Sequence, residues 1–181
     1  MTQASDHAWS ERLRNGLEVT IRPLRPDDRD RIAAAFRQLD RESIYTRLFS
    51  YRTELSEEGL ARILRVDPAH DAALLVTLGT GKDEIVIGSG RFMGAAGSGA
   101  TRTAEIAFVI EEDYHGLGIA GRLLSHLAEI AREKGIAEFE ADVLAENKAM
   151  LAVFARSGLP MQKRRDGGTI HLTLSLRDDP A

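Results

Sequence analysis

The stretch Tyr114-His115-Gly116-Leu117-Gly118-Ile119-Ala120-Gly121 constrains this chain more than any other. Residues 103–110 precede it with strand character, and a helical pattern follows from Ile119. Glycine in such a turn permits backbone conformations that other residues avoid, and it lets N–H groups converge without Cβ obstruction. At a helix N-terminus those donors, aided by the helix dipole, form a site for a diphosphate. The segment has two readings as a phosphate site, and the first is the dinucleotide fingerprint. Gly116 to Gly121 spells G-x-G-x-x-G, and Glu140 or Asp142 follows about 20 residues on. Against it, residues 111–115 separate the glycines from their strand. The motif also lies past mid-chain, too late for the usual doubly wound sheet. A glycine turn serving geometry alone is the plainer alternative.

The pattern on either side of the turn sets the architecture. Residues 1–10 read as a loose lead-in, and the flexible stretch is drawn at 1–14. Residues 17–24 alternate as a half-buried strand does. Pro26-Asp27-Asp28 starts a helix, with carboxylates near the positive end of its dipole, and Ile32, Ala35, Phe36 and Leu39 recur at helical spacing. A short helix over 43–49 follows, then a third from Ser56 to Arg65, stopped by Pro68. Residues 72–78, 84–93 and 103–110 form an antiparallel meander, with a flexible loop over 94–100. Residues 119–134 are helical. Leu123, Leu124, Leu127, Ala128, Ile130 and Ala131 share one side, and Gly135 is the stop. A strand at 138–144, a helix at 147–157 ended by Gly158, and a closing strand at 169–176 complete the chain. The expected fold class is therefore α/β (α+β), with a mixed, mostly antiparallel central sheet flanked by helices.

Composition narrows the function. With 181 residues the chain holds one domain with a proper core. A net charge of -4 gives no general attraction to nucleic acid or to an anionic membrane. The absence of cysteine removes disulfides, Cys-zinc sites and thiol nucleophiles together. The five histidines show no ligand spacing, so no metal is expected, and His126 is placed on the wet side of its helix. The polar lead-in lacks the apolar core of a secretion signal, and no apolar run approaches the roughly 20 residues of a membrane span. A cytoplasmic location is the expectation.

With these elements in order, the chain resembles the GNAT acetyltransferase superfamily. Its diphosphate loop has the form [Gln/Arg]-x-x-Gly-x-[Gly/Ala]. Residues 115–120 match it at Gly118 and Ala120, with His115 where Gln or Arg is usual. The segment 104–159 follows the family order, ending in Asn147-x-x-Met150-x-x-Val153-Phe154-x-x-x-Gly158-Leu159. The resemblance covers most of the chain and places the domain at 15–177. A narrower likeness lies in residues 22–27, 42–49 and 104–108. These are similar to the GNAT domain of bacterial protein lysine acetyltransferases that modify acyl-CoA synthetases. Such proteins often carry a further domain, for which this chain has no room.

The resemblance implies acetyl-CoA as acetyl donor and a primary amine as acceptor, a protein lysine such as one on an acyl-CoA synthetase. Since such proteins often dimerise, a homodimer is also an expectation. The alternatives are a small-molecule amine acceptor and a non-catalytic acetyl-CoA sensor. Backbone amides of His115, Gly116, Leu117, Gly118, Ile119, Ala120 and Gly121 would hold the diphosphate. Phe108, Val109 and Ile110 would pair with the pantetheine arm as an added strand, and the Ile110 N–H would polarise the thioester carbonyl. Asn147 reads equally as a pantetheine ligand and as a helix cap. Glu105 is the implied general base, needed because a lysine amine with a pKa of about 10.4 must lose a proton before it attacks. Many relatives use a tyrosine to protonate the departing thiolate. Phe154 stands at that position and reads as core; Tyr114 is the substitute donor or a packing residue. Arg122 reads as a phosphate contact or a solvated surface residue. Tyr45, Arg47, Phe49 and Tyr51 line the acceptor side or simply pack.

Overall fold

The computed structural model describes residues 7–38, 56–94 and 102–177. Its strands are β1 (Trp9–Arg12), β2 (Glu18–Pro23), β3 (Asp71–Leu78), β4 (Ile85–Gly94), β5 (Thr103–Ile110), β6 (Glu138–Leu144), β7 (Met161–Asp166) and β8 (Thr169–Ser175). Its helices are α1 (Arg29–Gln38), α2 (Glu57–Leu64), α3 (Ile119–Glu133) and α4 (Lys148–Ala155). The strands form one sheet in the order β1-β2-β3-β4-β5-β6-β8-β7. Every neighbouring pair is antiparallel except β5 and β6. This is the mixed, mostly antiparallel sheet expected of the GNAT fold, and it has no doubly wound half for a dinucleotide. The helix expected at 43–49, most of the loop at 94–100, and Tyr45, Arg47, Phe49 and Tyr51 lie outside the described residues.

Period-two alternation decides which face each strand buries. In β5, Ala104, Ile106 and Phe108 are buried, while Glu105 between them is exposed. The buried set meets α3, whose Leu123, Leu124, Leu127, Ala128, Ile130 and Ala131 are all inside. Gly90 of β4 makes that contact possible. A Cβ there would lie 2.9 Å from Phe108 Cδ1 and 3.1 Å from Leu127 Cδ1. The next residue, Arg91, points to the other face and donates to the carbonyls of Ile63 and Arg65 at the C-terminal end of α2. On that face α1 inserts Ile32 and Phe36.

The corner between β2 and α1 is held by charge. Arg22 and Asp28 are almost fully buried and meet in a two-pronged pair at 2.9 and 2.7 Å. Glu84 takes a further Arg22 donor, and the Arg25 N–H donates to Asp28. Burial alone would raise the Asp28 carboxyl, but Arg22 and the Arg25 amide outweigh it and hold it below the ordinary range. Pro26–Asp28 is a turn of 3-10 helix leading into α1. The sequence reading placed these carboxylates at a helix dipole; the structure uses Asp28 to close the corner.

Three expectations need correction. Trp9–Arg12, within the stretch drawn as flexible lead-in, is a strand paired with β2. His126, expected on the wet side of α3, is covered by that strand. Its ring stacks on Trp9 at 4.0 Å and its Nε2 lies 2.5 Å from Glu11 Oε1. The single closing strand at 169–176 is one arm of a hairpin whose other arm is β7. β7 is exposed except at Met161, so no buried face left an alternation to read. Its turn, Asp166-Gly167-Gly168, carried the available signal.

Candidate active site

The parallel pairing of β5 with β6 covers three residue pairs: Thr103 with Glu138, Ala104 with Phe139 and Glu105 with Glu140. Beyond that row β5 continues to Ile110 against β4 alone, and β6 continues against β8. The two strands part, so the edge of residues 106–110 facing β6 has no strand partner. The direction of each backbone group follows from one bond. The Glu111 N–H donates to Ile87 O, on the β4 side, at 2.9 Å. Alternation along an extended chain then turns the polar groups of Val109 toward β4, and those of Ile110 and Phe108 toward the open edge. Side chains at these positions do other work. Phe108 is buried, 5.9 Å from Phe154 between ring centroids, and Phe154 is core as expected.

The open edge ends at the glycine turn. A 3-10 turn, Glu112–Tyr114, leads to His115, then to Gly116 at φ +75° and Gly118 at φ +90°. Gly118 is the N-cap of α3 and makes no side-chain cap. Among the described residues the N–H groups of Gly116, Leu117 and Gly118 make no backbone hydrogen bond. The first amides of α3, on Ile119, Ala120 and Gly121, have no partner within the helix either. Nothing lies within 4 Å of where a Cβ would stand on Gly116 or Gly121, so the cradle opens outward. His115 does not turn its ring toward that cradle. Its Nε2 pairs with Ile110 O at 2.8 Å; a carbonyl only accepts, so Nε2 carries the proton. The ring thus ties the end of β5 to the turn.

Asn147 caps α4, its Oδ1 accepting from Met150 N at 3.2 Å. Both N–H donors of that amide remain without a partner among the described residues, so cap and ligand are compatible roles. Tyr114 packs against the core at the strand end. Glu105 lies exposed on the face opposite α3, in a row with Met93 of β4 and Glu140 of β6. The same face carries Ala107 and Val109. There a cleft of about 150 Å³ opens between the sheet and the α1–α2 side, lined also by Ile32, Phe36, Ile63 and Arg91. Glu111 also lines it. Burial, and then the neighbouring Asp113, push its carboxyl above the ordinary range. Glu111 escaped the sequence reading, because a single acidic residue after a strand carries no pattern.

Arg122, read as a phosphate contact or a solvated side chain, is tied into the fold while staying partly exposed. Its guanidinium donates to Glu11 Oε2 and to Arg12 O, both at 2.7 Å. With His126 it fastens β1 to α3. Burial by itself would raise the Glu11 carboxyl, but hydrogen bonds from His126 and Arg122 hold it below its ordinary value. Among the described residues no group of acidic and histidine side chains could hold a metal ion. Nor is any helix there long and apolar enough to cross a membrane.

Comparison with known proteins places this arrangement. Residues 18–160 match the profile of an acetyltransferase (GNAT) domain. Over 164 residues the chain is 29% identical to an acetyltransferase of Pseudomonas aeruginosa, covering 91% of this chain and 86% of that one. It is 32% identical over 146 residues to the acetyltransferase Pat of Mycolicibacterium smegmatis, covering 81% of this chain but 42% of Pat. The chain therefore spans less than half of Pat's length. Among solved structures, the GNAT domain of S. lividans PAT superposes with a TM-score of 0.81 at 32% identity, over 93% of this chain and 96% of that one.

Proposed function

This chain belongs to the GNAT acetyltransferase family, and from that membership we propose that it moves the acetyl group of acetyl-CoA directly to a primary amine, a protein lysine. The observation that carries the reading is the parting of β5 from β6 beyond Glu105. It joins three features in sequence: the carboxylate, an open strand edge, and the cradle of free amides.

Each feature answers a need of the reaction. The diphosphate of CoA takes the amides of residues 116–121, where the start of α3 adds its dipole; the His115 N–H, expected among them, is spent on Glu112 O at 3.1 Å. The pantetheine arm carries amides that pair with the open edge through the backbone of Phe108 and Ile110, whereas Val109, expected to share in that pairing, turns its polar groups to β4; the Asn147 amide is a further donor. The thioester carbonyl then falls near the Ile110 N–H, which faces the opening. Negative charge growing on that oxygen during attack is stabilised there. The acceptor arrives from the cleft side as an ammonium. Glu105 accepts one proton through intervening water and releases it to solvent, the free amine attacks the carbonyl carbon, the C–S bond breaks as the thiolate leaves, and the new amide nitrogen gives up its second proton by the same route. Phe154 cannot protonate the departing sulfur. A thiol with a pKa of about 8.5 leaves as thiolate without that help. The lysine acceptor rests on the resemblance of residues 22–27, 42–49 and 104–108 to bacterial protein lysine acetyltransferases.

The test uses purified protein, labelled acetyl-CoA and an extract of the source cells, separated by size afterwards. Label is expected in the protein fraction, lowered by about 10²–10⁴ in Glu105→Gln. Acetyl-CoA affinity should stay within about twofold, since Glu105 acts on the acceptor's proton rather than on the donor's nucleotide end. Label in small molecules instead would make the acceptor a metabolite. Binding without any transfer would leave a sensor.

A further inference from the structure

The β1–β2 hairpin carries an arginine to the phosphate cradle. Residues 13–17 form its turn: Gly16 N donates to Leu13 O, Leu13 N to Leu17 O, and Leu17 N to Asn15 Oδ1. Leu13 is buried, so the residue after it starts from a fixed point. β1 itself is fastened to α3 by the Trp9–His126 stack and by Glu11 with Arg122. From this support Arg14 extends to the glycine turn, more than 100 residues away in sequence. Its Nη1 lies 3.4 Å from Gly116 O, and its Nε lies 3.6 Å from where a Cβ on Gly118 would stand.

Charge separates the two arginines at this end of α3. Arg122 faces the same recess, which also includes Gly118, Gly121 and Ser125, but Glu11 neutralises it. Arg14 has no carboxylate within salt-bridge distance among the described residues. Its contact with the Gly116 carbonyl is long, and a phosphate oxygen is a stronger partner for a guanidinium than a neutral carbonyl. Resting on the acetyl-CoA reading above, we propose that Arg14 is a phosphate ligand of the CoA nucleotide. It supplies the full positive charge that the amides of residues 116–121 lack. The phosphate it meets is a diphosphate oxygen or the 3′-phosphate.

The experiment is calorimetric titration of CoA, and of 3′-dephospho-CoA, into the wild-type chain, Arg14→Ala and Arg62→Ala. Arg62 pairs with Glu58 on the exposed surface of α2, so its loss removes the same charge away from the cradle. Arg14→Ala is expected to weaken CoA binding about tenfold or more, with Arg62→Ala within about twofold of wild type. The penalty should shrink as salt rises, and the unliganded melting temperature should not move, because Arg14 is exposed. A penalty absent with 3′-dephospho-CoA assigns Arg14 to the 3′-phosphate; a penalty retained assigns it to the diphosphate. Equal CoA affinity in Arg14→Ala and wild type overturns the proposal and leaves the donor reading intact. A wild-type chain that binds no CoA overturns both.

Discussion

At the scale of single residues, burial and backbone conformation separate roles that composition leaves together. Phe108 and Phe154 pack against each other in the core, so what β5 offers a ligand at Phe108 is its backbone. Gly118 is required for another reason. Its φ of +90° lies where a Cβ strains the chain, and the nearest atom to a methyl group, Arg14 Nε at 3.6 Å, stands at ordinary contact distance. Gly118→Ala should therefore lose about 1–2 kcal/mol through conformation alone. The loss should be divided between unfolding stability, read by urea titration, and CoA affinity, read by calorimetry. Gly121 lies inside α3 with open space around it, so Gly121→Ala is the matched control and should not lose stability. The glycines were legible in the sequence because turn chemistry is local. Arg14 was not, since nothing near it in the chain points to residues 116–118.

At the scale of elements, the strand-turn-helix unit over 103–133 is the most local part of the site, and its sequence pattern located it correctly. β1 is the opposite case. Alternation over four residues was too short to read, and its support comes from partners on α3. Glu11 lies 111 residues from Arg122 and 115 from His126. That attachment has a pH signature. The Glu11 carboxyl is depressed in the folded chain, so its contribution is fully present above the unfolded value of about 4.3. It is lost as pH falls through the folded value, below that point. Wild type should therefore exceed Glu11→Gln in urea midpoint at pH 6, and the gap should narrow as pH falls below about 4. A gap that persists in acid would mean that Glu11 acts by packing rather than by charge.

At the scale of the whole molecule, the site depends on two long-range arrangements. One is the sheet order, which sets β5 beside β6 for three pairs and then lets them separate. The other is the buried Arg22–Asp28–Glu84 cluster, which fixes α1 over the cleft face. Asp28→Ala leaves the Arg22 guanidinium buried with one carboxylate instead of two. It should cost about 3 kcal/mol of unfolding free energy in urea at pH 7, where Asp28 is ionised. The difference should narrow as pH falls below the unfolded value of about 3.9 and the wild-type carboxylate protonates. The sequence by itself determined the fold class, the meander, the turn, α3 and its buried stripe, and the capping Asn147. Each of these is written in spacing that one segment's own burial or backbone imposes. Only the tertiary structure decided that Arg122 is spent on Glu11, that His126 is covered, that Arg14 reaches the cradle, and that β5 opens at Glu105. Those facts depend on which distant segments meet, and local periodicity records that a face is buried without recording what buries it.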